Sequence, residues 1–72
     1  MHADGLTHRQ EQVLEFVAQG FTNPEISQVL ALAPSTVRMH RRIGMRELGA
    51  RSRADVVRWA ISTGRLATTR PA

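Results

Sequence analysis

The sequence predicts an all-α fold, a compact four-helix bundle, and three observations carry that prediction. Apolar residues recur at helical spacing in four separate segments. Cap residues or proline stand ahead of those segments, and glycine stands behind three of them. No stretch shows the alternation of a strand, and there is no internal repeat or low-complexity tract. With 72 residues and no cysteine, the chain has room for one small domain, without disulfides or thiolate zinc sites to staple it. Helix packing must therefore hold it together, and an apolar share of 42% is enough for one core.

Thr7 can cap the first helix, in which Val13, Leu14, Val17 and Ala18 share a face with Phe16 beside them. That helix is expected over 8–19, with Gly20 supplying the left-handed residue behind it. Asn23 followed by Pro24 reads as a cap and the proline favoured at the first helical position. A short second helix over 24–30 follows, with Ile26, Val29 and Leu30 as its apolar face. Pro34 opens a third, long and basic, running to Leu48 before Gly49. Ser52 with Asp55 three residues on resembles a capping box with aspartate in place of glutamate. It precedes a fourth helix carrying Val56, Val57, Trp59, Ala60 and Ile61, which Gly64 closes. The expected organisation is a domain over 6–64 between flexible tails at 1–5 and 65–72.

Charge is unevenly spread. Up to Ala33 there is one arginine against four acidic residues, a balance of −3, whereas Pro34 onward has nine arginines against two, a balance of +7. Such asymmetry within one small domain suits a polyanionic partner, nucleic acid before anionic membrane. The second and third helices, separated by Ala31-Leu32-Ala33, have the spacing of a helix-turn-helix. On a wheel at about 100° per residue, Val37, Gly44 and Leu48 share one face of the third helix. Ser35, Arg38, Arg42, Met45 and Arg46 gather on another, with Met39 at its edge. An apolar seam docked on the bundle leaves an outward arginine stripe, which is what a helix entering a DNA major groove requires.

Four separated motifs then fall in order: Leu6-Thr7-His8-Arg9-Gln10-Glu11 with Val13-Leu14; Gly20 to Ile26; Thr36-Val37-Arg38-Met39-His40; and Leu48-Gly49-Ala50 with Arg53. Together they resemble the LuxR-type DNA-binding domain, the C-terminal helix-turn-helix of quorum-sensing regulators and of the NarL/FixJ class of response regulators, over Leu6 to Gly64. The resemblance implies a third helix that recognises DNA and a fourth that serves as a dimerisation surface. It carries base-edge roles to Arg38, Met39 and Arg42, where either arginine can reach guanine O6/N7 and the methionine a thymine methyl. Arg46, Thr36 and Ser35 are placed for phosphates, and Thr22 and Asn23 for backbone contacts at the start of the second helix.

The chain departs from that family at several positions. Ala33 stands where a serine usually caps the recognition helix, and Gly44 and Arg41 replace commonly apolar residues, so the seam of the third helix looks poor. Either Met45 and the stem of Arg41 fill the gap, or the domain is marginally stable. Gln10 and Gln12 stand where acidic residues are frequent. Trp59 has two open uses: core packing, or a dimer contact with Val56 and Thr63. Arg53 reads as structural, Arg51 and Arg58 as exposed or touching phosphate, and Glu25 as first-turn charge or a partner for Arg9.

His40 reads as a structural histidine, because no carboxylate or second histidine lies near enough in sequence for metal or acid-base work. No nucleophile-base pair or phosphate loop is present, so no enzyme, metal or cofactor is expected. No apolar run approaches the roughly 20 residues of a membrane span, and no secretory signal opens the chain, which reads as cytosolic. The expected partners are double-stranded DNA and a second copy of the chain. The alternative is a protein-interaction module meeting RNA polymerase or another regulator through the fourth helix or the acidic first one. Beginning five residues before the domain, the chain is expected to be a fragment or a stand-alone regulator.

Overall fold

The structure, a computed structural model, describes residues 5–66, so 1–4 of the tail expected at 1–5 and 67–72 of the tail expected at 65–72 lie outside the described residues. Among the described residues there are four helices and no strand: α1 (His8–Ala18), α2 (Asn23–Leu30), α3 (Pro34–Leu48) and α4 (Arg53–Ser62). The first helix packs on α3 and α4, and α2 lies mainly against α3. Leu6, Val13, Leu14, Val17, Ala18, Ile26, Val37, Val56 and Ala60 form the buried core, so all four helices and the N-terminal approach contribute to it.

Local chemistry fixes the boundaries. Thr7 Oγ1 accepts from Gln10 N, and Gln10 Oε1 accepts from Thr7 N, both at 3.1 Å, closing a capping box with a neutral amide. At the start of α2 the cap is Thr22 rather than the expected Asn23. Thr22 Oγ1 accepts from Glu25 N and the Glu25 carboxylate accepts from Thr22 N at 2.8 Å, which settles Glu25 as a capping residue. The reciprocal pair satisfies two terminal donors where an asparagine cap satisfies one, so α2 starts one residue early. At α4, Ser52 caps as expected, but the Asp55 carboxylate accepts from Arg51 N, one residue further back than a capping box requires. The first helix ends at Ala18, with Gln19 as its C-cap and Gly20 at φ +96°.

The turn between α2 and α3 rests on Ala31, the one non-glycine at positive φ (+55°) among the described residues. Left-handed backbone is strained for an L-residue by roughly 1–2 kcal/mol, and neighbouring bonds hold it there. Leu32 N donates to Ser27 O, and the Ser27 hydroxyl donates back to Leu32 O. The next residue, Ala33, makes no side-chain cap to α3, as the departure at that position implies.

Gly44 is a close-packing site rather than a hole. A Cβ there meets Leu14 Cδ1 at 2.9 Å, so the fully buried Leu14 occupies the space that the apolar residue expected at this position would fill. Met45 is partly buried against the core as well, so Leu14 and Met45 together complete the seam between α1 and α3.

Two further expectations are corrected by packing. Val56, assigned to a dimer surface, is fully buried beneath α4, because its face of that helix is the one turned onto the core. Arg65 and Leu66, assigned to a tail, are held on the bundle. Both backbone N–H groups donate to Ala60 O, Arg65 pairs with Glu11 at 3.1 Å and Glu15 at 3.2 Å, and its guanidinium lies 4.6 Å from the Trp59 ring centre. The acidic face of α1, read as a docking surface in the alternative function, is thereby engaged within the chain.

Candidate nucleic-acid interface

The third helix displays its charge because of how its seam is buried. Val37 and Gly44 face the core, which leaves Ser35, Arg38, Met39, Arg42 and Arg46 exposed on the opposite side. Residues spaced by four align along a helix, so Arg38, Arg42 and Arg46 form one stripe rising about 12 Å at 1.5 Å per residue. That length is similar to the roughly 12 Å width of a B-DNA major groove. Met39 is 42% exposed, which for a large apolar side chain on a charged face leaves it available for an apolar contact. Thr36 is only half-buried, in the first turn of the same helix.

Between α2 and α3 lies an open cleft lined by Asn23, Arg38, Arg41, Arg42 and Met45. It brings Asn23 together with two stripe arginines; Thr22, Ser35, Thr36, Met39 and Arg46 do not line it. At its wall Arg41 Nη1 donates to Asn23 Oδ1 at 2.8 Å. Burial, and secondarily the like charge of Arg53, lower the pKa of the Arg41 guanidinium from its ordinary value. Sequence reasoning missed Arg41 as a site residue and treated it as filler for the seam. Its spacing from Arg38 hinted at the cleft, but the partner Asn23 lies 18 residues away and only folding brings it near.

The backbone expectation at α2 is narrowed by the cap. Thr22 N and Glu25 N are both taken by the reciprocal bonds, and Pro24 has no N–H, so neither bonded backbone N–H is a spare donor, whereas the Thr22 hydroxyl, which only accepts in the cap, keeps its O–H. The other arginines divide by environment. Arg53 Nη1 donates to Val17 O at 2.7 Å and Nη2 to Phe21 O at 3.4 Å, capping the negative end of α1 and serving structure, as expected. Arg51 is exposed, and the exposed Arg58 pairs with Asp55. On α4, Trp59 is half-buried under Arg65, and Thr63 is exposed with its hydroxyl donating to Trp59 O at 2.8 Å.

Among the described residues no three His, Cys, Asp or Glu side chains converge as metal ligands, and no helix is long and apolar enough to cross a membrane. The chain matches the family model described as bacterial regulatory proteins of the luxR family over residues 4–60. It is 42% identical over 55 residues to the transcriptional regulatory protein UhpA of Escherichia coli K12, covering 76% of this chain and 28% of that protein. Against the transcriptional regulatory protein FixJ of Azorhizobium caulinodans it is 37% identical over 60 residues, or 83% of this chain and 28% of the relative. An uncharacterized response regulatory protein of Escherichia coli K12, YgeK, is 36% identical over 59 residues, 82% of this chain and 40% of its own length. The chain thus spans between about a quarter and two fifths of the length of such relatives. It belongs to the luxR family of bacterial regulatory proteins, and it carries the helix-turn-helix domain with which that family binds DNA in transcription regulation.

Proposed function

We propose that this chain reads double-stranded DNA by sequence, with α3 in the major groove, as a homodimer on an inverted repeat in the cytoplasm. The observation that carries the reading is the exposed stripe of Arg38, Arg42 and Arg46 on the second helix of a helix-turn-helix. Arg38 and Arg42 take guanine edges and Met39 a thymine methyl, while Arg46, Ser35 and Thr36 hold phosphates. From α2 the backbone contact comes through the Asn23 side chain, at the mouth of the same cleft as Arg38 and Arg42. Two copies meet through α4 around Trp59 and Thr63, so the half-sites are spaced by one helical turn of DNA, about 34 Å, or a multiple of it. The role is binding, without catalysis or cofactor.

Selection from random duplexes, followed by titration with salt, tests the reading. If a dimer neutralises about eight phosphates, log K falls with log salt at a slope near −7. Arg42→Ala then costs about 1–3 kcal/mol and relaxes preference at one base pair, whereas Arg46→Ala weakens cognate and random duplexes alike. A slope near zero on duplex DNA, with RNA polymerase captured in its absence, would overturn the reading in favour of a protein-interaction module. The engagement of Glu11 and Glu15 by Arg65 leaves that module less acidic surface to use.

A further inference from the structure

Arg41 is in an unusual position for an arginine. It is half-buried, its guanidinium donates to a neutral amide, and among the described residues no carboxylate pairs with it. The neighbouring charge acting on it is Arg53, which repels it. A desolvated cation held beside another cation and facing a neutral acceptor is costly to the free protein. The site is nevertheless open to solvent on the side where Arg38 and Arg42 stand, so an anion can enter from that side. Asn23 Oδ1 accepts from Arg41, which leaves the two N–H donors of the same amide for another acceptor in the cleft that both residues line.

We propose that Arg41 and Asn23 form a phosphate clamp between α2 and α3, in which a backbone phosphodiester of duplex DNA supplies the anion that Arg41 lacks. This rests on the DNA-binding reading above and extends it to a residue outside the exposed stripe. Arg41 is a contact set back from the helix surface and fixed by Asn23, so it locks the angle at which α3 enters the groove without reading sequence. The free domain carries an uncompensated charge, and bound DNA neutralises it.

The clamp makes opposite predictions for stability and for binding. Asn23→Asp gives Arg41 an internal carboxylate, so the melting temperature of the free domain rises while affinity for cognate and random duplexes falls together. Arg41→Met keeps the apolar stem, and the free domain melts at or above the wild-type temperature. Its affinity falls roughly fivefold on both duplexes at 0.15 M salt, and the slope of log K against log salt becomes shallower by about 0.9 per protomer. In the Arg41→Met background the melting gain from Asn23→Asp shrinks, since there is no cation left to pair. Arg41→Met with unchanged affinity and slope, while wild type binds duplex steeply, overturns the clamp alone. Wild type with no salt-dependent binding overturns the DNA reading itself. Loss confined to the cognate duplex would show Arg41 to be a base reader and would also overturn the clamp.

Discussion

Single residues decide where each helix begins, and Ala33 shows the cost of a missing one. Its backbone is already extended (φ −63°, ψ 145°), the conformation of an N-cap, but its methyl group accepts no hydrogen bond. Ala33→Ser places an oxygen where Ser35 N, or Thr36 N beside its bond to Ala33 O, can donate, and such a cap is worth about 0.5–2 kcal/mol. Urea unfolding is therefore expected to shift to a higher midpoint by about 1 kcal/mol with an unchanged slope, and Ala33→Gly to do much less. An unchanged midpoint for the serine variant would show that water caps α3 equally well. This departure was legible in the sequence because a cap is a local property of one position. The choice between Thr22 and Asn23 was less legible. Asn-Pro and Thr-x-x-Glu signals overlap there by one residue, and the two reciprocal bonds of the capping box outweigh the single bond of an asparagine cap.

At the scale of elements, helix existence and order could be read from periodicity, whereas helix separation could not. Gly44 is the clearest case. Read along the chain, it is a weak point in α3, about 1 kcal/mol worse than alanine in a helix. Seen across the α1–α3 interface, it is the place where Leu14 inserts, and an added Cβ lies 2.9 Å from Leu14 Cδ1. Overpacking a core costs about 1–3 kcal/mol, which exceeds the propensity gained. Gly44→Ala is thus expected to lower stability by about 1 kcal/mol despite being a better helix former. Leu14→Val alone should also destabilise, but combined with Gly44→Ala it should cost at least about 0.5 kcal/mol less than the sum, because the two side chains compete for one volume. Additive losses in a double-mutant cycle would remove Leu14 as the reason for the glycine. The Arg41–Asn23 pair escaped the sequence for the same reason as Leu14 and Gly44, since each is a meeting of two helices far apart in the chain.

For the whole molecule, the division into an acidic half at −3 and a basic half at +7 is correct as arithmetic. It is incomplete as a description of the surface, because Arg65 folds back from the basic half onto Glu11 and Glu15 of the acidic half. The apolar periodicity lapses at Gly64, so the sequence places the domain's end there. The described fold runs on through Arg65 and Leu66 by backbone bonds to Ala60, the two ion pairs and the stacking of Arg65 on Trp59. A domain of 72 residues has a total stability of about 4–11 kcal/mol at 0.05–0.15 kcal/mol per residue, so a latch of this kind is a sizeable part of it. The Arg65 and Glu11 side chains retain only 25% and 11% of their exposure, so the pair is partly shielded from solvent. It should therefore exceed the roughly 0–1 kcal/mol of an exposed pair, with the cation–π contact adding about 0.5–1 kcal/mol. Arg65→Ala is expected to lower stability by about 1–2 kcal/mol, and Arg65→Lys by less than alanine but measurably, since lysine keeps the charge and loses the two-pronged guanidinium geometry. Trp59 is the sole tryptophan of the chain, so its emission reports the latch directly. Removing Arg65 exposes the ring and shifts the emission to longer wavelength before any unfolding begins. An Arg65→Ala protein with wild-type emission and wild-type stability would mean that the core residues Val56 and Ala60 and the Arg53 bonds hold α4 in place without the latch.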